Sequence, residues 1–335
     1  MAGSKRIGLI TGGGDCPGLN AAIRAVTKSA LRVGYEVIGF RDGWKGFIEG
    51  DTEILDGVKT SEIIDRGGTI LGTSRFSPLH LEDGTRWTLQ QFKEWGLAAL
   101  VVLGGEGTLS IAGKLAREGL LVVGIPKTID NDVVGTDYTI GFQTAVQIAT
   151  DALDRLRSTA ESHHRVMLLE VMGRTVGWIA TYAGMAAGAD AILIPEIPLD
   201  EAKMAELCRM VKGRSKEGKR FSIIVVAEGV GLAEETEVSG WVGEVISKII
   251  EEKTGLEAKF SSLDYIQRGG TPVAYDRNLA TAFGVKAVEL VREDKYGQMT
   301  AIKGNRITST SLEKVVDKVK KVNLKVYKIA ETFFG

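Results

Sequence analysis

A chain of 335 residues is longer than one compact core usually accommodates, so two domains are expected. The composition is globular, with 44% hydrophobic and 25% charged residues, and 42 glycines against 6 prolines suit many tight strand–helix turns rather than disorder. A net charge of −1 gives no electrostatic argument for a nucleic-acid or membrane partner, and no apolar run approaches the ~18 residues that span a bilayer.

In chain order, the start MAGSKRIGLIT lacks the long apolar stretch of a signal peptide, so a cytoplasmic location is expected. The first apolar run, Ile7–Ile10, reads as a strand and is followed by TGGGDCPGLN at 11–20. The next stretch, Asn20–Val33, places Ile23, Val26, Ala30 and Val33 on one helical face, with Gly34 as the stop. Further runs follow at Val37–Phe40, Ala98–Leu103, Leu120–Ile125, Val166–Val171, Ala191–Ile194 and Ser222–Val226. Runs without alternation are what strands buried on both faces look like, so the sheets should be mainly parallel. Gly107–Arg117 and Gln143–Ser158 read as helices, and Ser311–Val322 is charged with a helical pattern. Strands alternating with helices imply a doubly wound α/β architecture, with a boundary near Thr139–Gln143. The two cysteines, Cys16 and Cys208, lie far apart and offer neither metal spacing nor a disulfide framework.

In open parallel sheets ligands bind beyond the carboxyl ends of the strands, so the loops there should carry the chemistry. At 11–20, Gly12, Gly13 and Gly14 let backbone N–H groups approach phosphate oxygens, and the helix from about Leu19 adds its positive end. No Lys-Ser/Thr pair follows, as a P-loop requires, and the spacing is not the dinucleotide fingerprint, which argues against a nicotinamide-dependent dehydrogenase. GGEGT at 104–108 adds Glu106, a carboxylate able to hold Mg²⁺ through water, although alone it is equally a turn with a solvated acid. PKTIDNDVVGTDYTIGF at 126–142 carries Asp130 and Asp132, a pair that suits a base removing a proton from an alcohol but also an Asx-type turn.

Taken together, TGGGDCPGLNAAIR, RGGTILGTSR, GGEGT, PKTIDND, GTDYTIGF, EVMGR and YIQRGG resemble the 6-phosphofructokinases in order and spacing, over at least residues 6 to 290. The resemblance implies two Rossmann-like doubly wound domains. The nucleotide-binding large domain would be 1–140 plus about 256–302, and the sugar-phosphate-binding small domain 141–255 plus about 303–335. It implies phosphorylation of fructose 6-phosphate at its 1-hydroxyl with MgATP, in glycolysis. Gly14, Arg75, Phe76, Gly105, Glu106, Gly107 and Thr108 match the phosphoryl-donor positions, with Glu106 as the metal ligand where Asp is usual. Thr128, Ile129 and Asp130 match the reacting end of the sugar-phosphate site, with Asp130 as general base and Thr128 and Arg174 beside it as catalytic residues. Met172, Gly173, Arg174, Glu228, Tyr265 and Arg268 match the rest of the sugar pocket. Arg165 and Lys259 match two cations that a neighbouring subunit supplies to the 6-phosphate, so a homo-oligomer, a tetramer, is implied. Lys259 replaces the usual Arg and Tyr265 the usual His; Lys cannot bind phosphate bidentately, so sugar affinity is affected.

Two positions bear on the donor. Pyrophosphate users in the family carry Asp where this chain has Gly107, which blocks and repels the nucleotide; Gly leaves the space open and favours ATP. Lys127 matches the lysine of pyrophosphate users, so a pyrophosphate-dependent phosphotransferase is the alternative. Arg24 and Arg157 match a bacterial effector site for ADP or phosphoenolpyruvate, with Lys28 standing in for one Arg and Gly57 for another, which would weaken anion binding there. A non-catalytic sugar-phosphate sensor would be expected to lack the base or the metal carboxylate, and both Asp130 and Glu106 are present.

Overall fold

The computed structural model describes residues 5–232 and 240–335. In chain order the elements are β1 (Lys5–Gly12), α1 (Leu19–Arg32), β2 (Tyr35–Phe40), α2 (Trp44–Glu49), β3 (Thr52–Leu55), α3 (Gly84–Glu94), β4 (Leu97–Gly104), α4 (Glu106–Arg117), β5 (Val122–Thr128) and β6 (Ile140–Gly141). Then follow α5 (Phe142–His163), β7 (Val166–Val171), α6 (Trp178–Ala186), β8 (Ala191–Leu193), α7 (Glu201–Lys216), β9 (Ser222–Ala227), α8 (Val242–Thr254) and β10 (Ala258–Ser262). The chain closes with α9 (Ala274–Arg292), β11 (Gln298–Lys303), β12 (Arg306–Ser311) and α10 (Leu324–Glu331).

The chain forms two compact units. One comprises Met1–Gln143 and Arg268–Lys320, the other Thr144–Gln267 and Lys321–Gly335. The first contains a sheet of order β12-β11-β5-β4-β1-β2-β3, with β6 beside β5. Its central pairs are parallel, and only β3 and β12 run antiparallel to their neighbours, at the two edges. The chain runs from β1 to β2 on one side and returns to β4 on the other, so the loops after β1 and β4 diverge at a topological switch point, where such sheets open a ligand crevice. The strands of the interior carry unbroken apolar runs because both faces are covered: Leu100, Val102 and Val122 are fully buried. Burying each such side chain contributes about 1.5–3 kcal/mol.

The second unit holds a wholly parallel sheet of order β10-β7-β9-β8. Every residue of β7 and β9 is buried, again as unbroken apolar runs predict. Each apolar run named from the sequence is a strand, and parallel β–α–β connections dominate both units, so the expected α/β fold with mainly parallel sheets is present. The exception to the element reading is Ser311–Val322. It forms one 3₁₀ turn, Leu312–Lys314, and then irregular chain to the start of α10. Its apolar residues are spent on packing rather than on a helical face, since Leu312 and Val315 are buried in the core beside α4, and Asp317 adopts φ 53°, which a helix cannot contain.

Candidate active site

In the first unit the glycine loop leaves β1 and is closed by its own backbone against the 66–75 stretch. Gly13 donates its N–H to Ser74 O at 2.9 Å, and Thr73 Oγ1 donates to Gly13 O at 2.6 Å. Thr11 Oγ1 donates to Gly72 O at 2.6 Å. Asn20, fully buried at the start of α1, donates to Arg66 O and Gly67 O and accepts from Ile70 N, at 3.0, 3.1 and 2.8 Å. RGGTILGTSR is therefore latched to TGGGDCPGLN, which sets exposed Arg75 and half-buried Phe76 beside the glycine loop. Gly13 has φ 81°, which excludes most side chains, and a Cβ on Gly14 would stand 2.9 Å from Arg268 Nη1. Gly14 and Arg268, far apart in sequence, are thus in contact.

After β4, Gly105 precedes α4, and Glu106 occupies its first turn, where the helix dipole favours a carboxylate. Thr108 is buried. Gly107 is exposed, and a Cβ there would meet nothing within 4 Å. Among the described residues no cluster of three or more His, Cys, Asp or Glu could hold a metal ion. The Glu106 carboxylate at this turn fits Mg²⁺, which is usually held by one or two carboxylates, substrate phosphates and water.

After β5 the chain carries Asp130 at 4% exposure. Thr128 Oγ1 donates to Asp130 Oδ2 at 3.2 Å and accepts from Asp130 N at 3.1 Å, so the carboxylate is tied to the end of the strand. Asn131 takes φ 52°; its Nδ2 donates to Asp137 O at 3.2 Å and its Oδ1 accepts from Thr139 N at 3.1 Å, closing the loop. Ile129 is buried behind it.

Lys127, the strand residue before Thr128, is 1% exposed. Its Nζ donates to Gly12 O at 2.8 Å and to Gly14 O at 2.5 Å. Burial lowers its pKa, while Cys16, Asp15 and Asp130 oppose that. The lysine therefore braces the glycine loop from beneath through the loop's own carbonyls.

In the second unit the turn after β7 carries Met172, Gly173 and Arg174. Glu228, just beyond β9, accepts from Gly173 N at 3.1 Å and Arg174 N at 2.6 Å. Gln267 Oε1 accepts from Met172 N at 2.7 Å. Arg174 is exposed and held at φ 54°. A cavity of about 470 Å³ opens here, lined by Glu170, Arg174, Glu228, Val230, Trp241 and Val242 among others. Arg165 Nε lies 2.8 Å from Glu257 Oε2 and Lys259 Nζ 3.2 Å from Glu257 Oε1, so one exposed carboxylate joins the two expected phosphate cations. The Arg165 hydrogen bond, then that of Lys259, lowers the Glu257 pKa. Tyr265 is 65% exposed on the 3₁₀ turn Asp264–Arg268. Of the expected effector cations, Arg157 spends its guanidinium on the carbonyls of Ala187 and Gly188 beyond α6.

Sequence reasoning did not single out Glu170 or Trp241 in this cavity. Glu170 is 3% exposed, accepts from Gly243 N at 2.7 Å, and has its pKa raised chiefly by burial. A charged residue inside an otherwise apolar strand was the available signal for Glu170; Trp241 had none.

Both the sequence and the fold have counterparts among known proteins. The phosphofructokinase family profile matches residues 6–291. An "ATP-dependent 6-phosphofructokinase 3" of Streptomyces coelicolor is 50% identical, over 95% of this chain and 96% of its own length. A "pyrophosphate--fructose 6-phosphate 1-phosphotransferase" of Amycolatopsis methanolica is 47% identical, over 98% and 100%. Among solved structures, Pichia pastoris phosphofructokinase superposes with a TM-score of 0.87 at 32% identity, over 99% of this chain and 37% of the yeast chain, so this chain spans well under half of that subunit. A pyrophosphate-dependent phosphofructokinase of Marinobacter aquaeolei gives a TM-score of 0.84 at 25% identity, over 96% and 86%. With matches of this extent in both sequence and fold, the chain belongs to the phosphofructokinase family.

Proposed function

We propose that this phosphofructokinase, a transferase of glycolysis, transfers the terminal phosphoryl group of ATP to the 1-hydroxyl of fructose 6-phosphate, with Asp130 as general base. The observation that carries the reading is the Asp130 carboxylate: almost fully buried, held at the end of a central strand and positioned by Thr128. A buried carboxylate on a fixed loop can accept the hydroxyl proton as the oxygen attacks phosphorus. Arg75 and Arg174 would offset negative charge on the transferring group, and Arg268 beside Gly14 adds a third cation to the phosphate-facing loop. Mg²⁺, held by Glu106 and the donor's phosphates, would neutralise the β and γ oxygens. Met172, Gly173, Glu228 and Tyr265 would hold the sugar, and Arg165 and Lys259 its 6-phosphate from a neighbouring subunit of a tetramer. Glu257 would compete with that phosphate for its two cations.

Open space at Gly107 supports ATP as donor, since a Cβ there would meet no atom of the described residues within 4 Å. The second reading, pyrophosphate, is favoured by Lys127 and by close relatives named for that donor. Lys127 as placed is engaged with Gly12 O and Gly14 O, which leaves ATP the better reading.

The deciding experiment measures fructose 1,6-bisphosphate formation with ATP and with pyrophosphate, in the wild type and in Asp130→Ser. The wild type is expected to use ATP at least tenfold better in kcat/KM. Asp130→Ser is expected to retain sugar-phosphate binding and lose about 10²–10⁴ in kcat. Preference for pyrophosphate reverses the donor assignment, and near-normal kcat in Asp130→Ser removes the base.

A further inference from the structure

The loop that bears Asp130 has no helix or strand of its own between Thr128 and Ile140, so its shape depends on what grips it. From inside it is closed by Thr128 and Asn131. From outside it is gripped by a segment nearly two hundred residues later. Val319 forms an isolated antiparallel bridge with Val133, and Lys320 donates its backbone N–H to Asp132 O at 2.7 Å. The Lys320 ammonium donates to Asn131 Oδ1, Thr136 O and Asp137 O at 2.9, 2.9 and 3.0 Å. An ammonium has three N–H donors, and here three oxygens from both limbs of one loop surround it. Asp132 and Asp137 are the acidic groups that act on it.

The same segment is anchored to the helix that starts at Glu106. Asp317 accepts from Ser110 Oγ at 3.0 Å and from Lys114 Nζ at 2.9 Å, and donates its N–H to Ser110 Oγ at 3.2 Å. A Cβ on Gly113 would stand only 2.6 Å from Val316 Cγ2 and 3.2 Å from Leu312 O, so the segment lies tightly on α4. Residues 312–320 therefore form a strap tied at one end to α4 and at the other to the Asp130 loop.

We propose that Lys320 is a positioning residue for phosphoryl transfer: without touching substrate, its side chain fixes the Asn131–Asp137 loop so that the Asp130 carboxylate keeps the geometry that proton removal needs. The proposal rests on the reading of Asp130 as base. Methionine at 320 keeps the length and apolar stem and removes the three donors. Displacement of a reacting group by ~1 Å costs on the order of 10²-fold in rate.

The test is steady-state kinetics on the full-length enzyme, with the better of the two donors, for Lys320→Met, Lys320→Arg, Asp130→Ser and the double variant, each first checked for a cooperative thermal melt. Lys320→Met is expected to lower kcat ten- to hundredfold while KM for fructose 6-phosphate stays within threefold. Lys320→Arg, which keeps a cation with several donors, is expected to recover part of that loss. In the Asp130→Ser background, Lys320→Met is expected to cost nothing further. If Lys320→Met does not melt cooperatively, Lys320→Gln is read by the same criteria. A Lys320→Met kcat within twofold of wild type, or an equal loss with Asp130 already removed, overturns the proposal. Asp130→Ser with near-normal turnover sinks the base assignment instead, a result distinct from a slow Asp130→Ser beside a fast Lys320→Met.

Discussion

Gly107 stands exposed in the first turn of α4, and a Cβ placed there meets no atom of the described residues within 4 Å. Gly107→Asp should therefore fold normally, and an acid in a helix's first turn is favourable. Its effect should fall on the donor: kcat/KM with ATP is expected to drop more than tenfold relative to pyrophosphate, and an unchanged ratio in a two-donor assay refutes the steric argument. At this scale, which residues matter was legible from motif order and spacing, but not what their atoms do. Lys127 was read as a donor determinant; that its ammonium would sit under Gly12 O and Gly14 O depends on adjacent parallel strands, β1 and β4 and then β5, which no local pattern encodes. Glu257 between Arg165 and Lys259 likewise follows from the pairing of β10 with β7.

Elements were legible where burial on both faces wrote itself as an unbroken apolar run, as in β1, β4, β7 and β9. They were not legible at the sheet edges. β12, RITSTS, is short of apolar residues because one face is wet, and β3 is only four residues long. The 311–322 stretch has helical charge spacing, yet its apolar residues pack on α4 and tertiary contact overrides local pattern. The latch between the glycine loop and the 66–75 stretch is also a product of tertiary structure, and its end at α1 is made by the buried Asn20 side chain. Asn20→Ala would leave Arg66 O, Gly67 O and Ile70 N without that partner. An expected loss of about 1–3 kcal/mol follows. Urea unfolding should show a lower midpoint at unchanged slope, and KM for the donor should rise because Arg75 is carried on the same stretch, loosened at its 66–70 end; a midpoint equal to wild type contradicts the latch.

For the molecule as a whole, the half-buried lysine of the strap predicts how stability varies with pH. Burial pushes the Lys320 pKa from 10.5 down to about 7, with Asp137 and Asp132 opposing it. Between those values the unfolded chain carries a proton that the folded chain has released, so stability rises with pH, while below about 7 the full cost of burying the charge is present. Compared with Lys320→Met, the wild type is expected to become relatively more stable from about pH 7 to about pH 10 in urea unfolding; a pH-independent difference would place the ammonium's titration elsewhere. The α/β plan of the two units was legible at this scale because strand and helix alternate. The strap was not, since its partners lie nearly two hundred residues away and only folding brings them together.

The vacant volume beside Gly107 also has an evolutionary meaning. Some glycine codons become aspartate codons by a single base change, and at this position the new side chain displaces nothing. On the proposed role of Gly107, a change of donor would require no prior repair of the core. Relatives named for each donor stand at 50% and 47% identity to this chain.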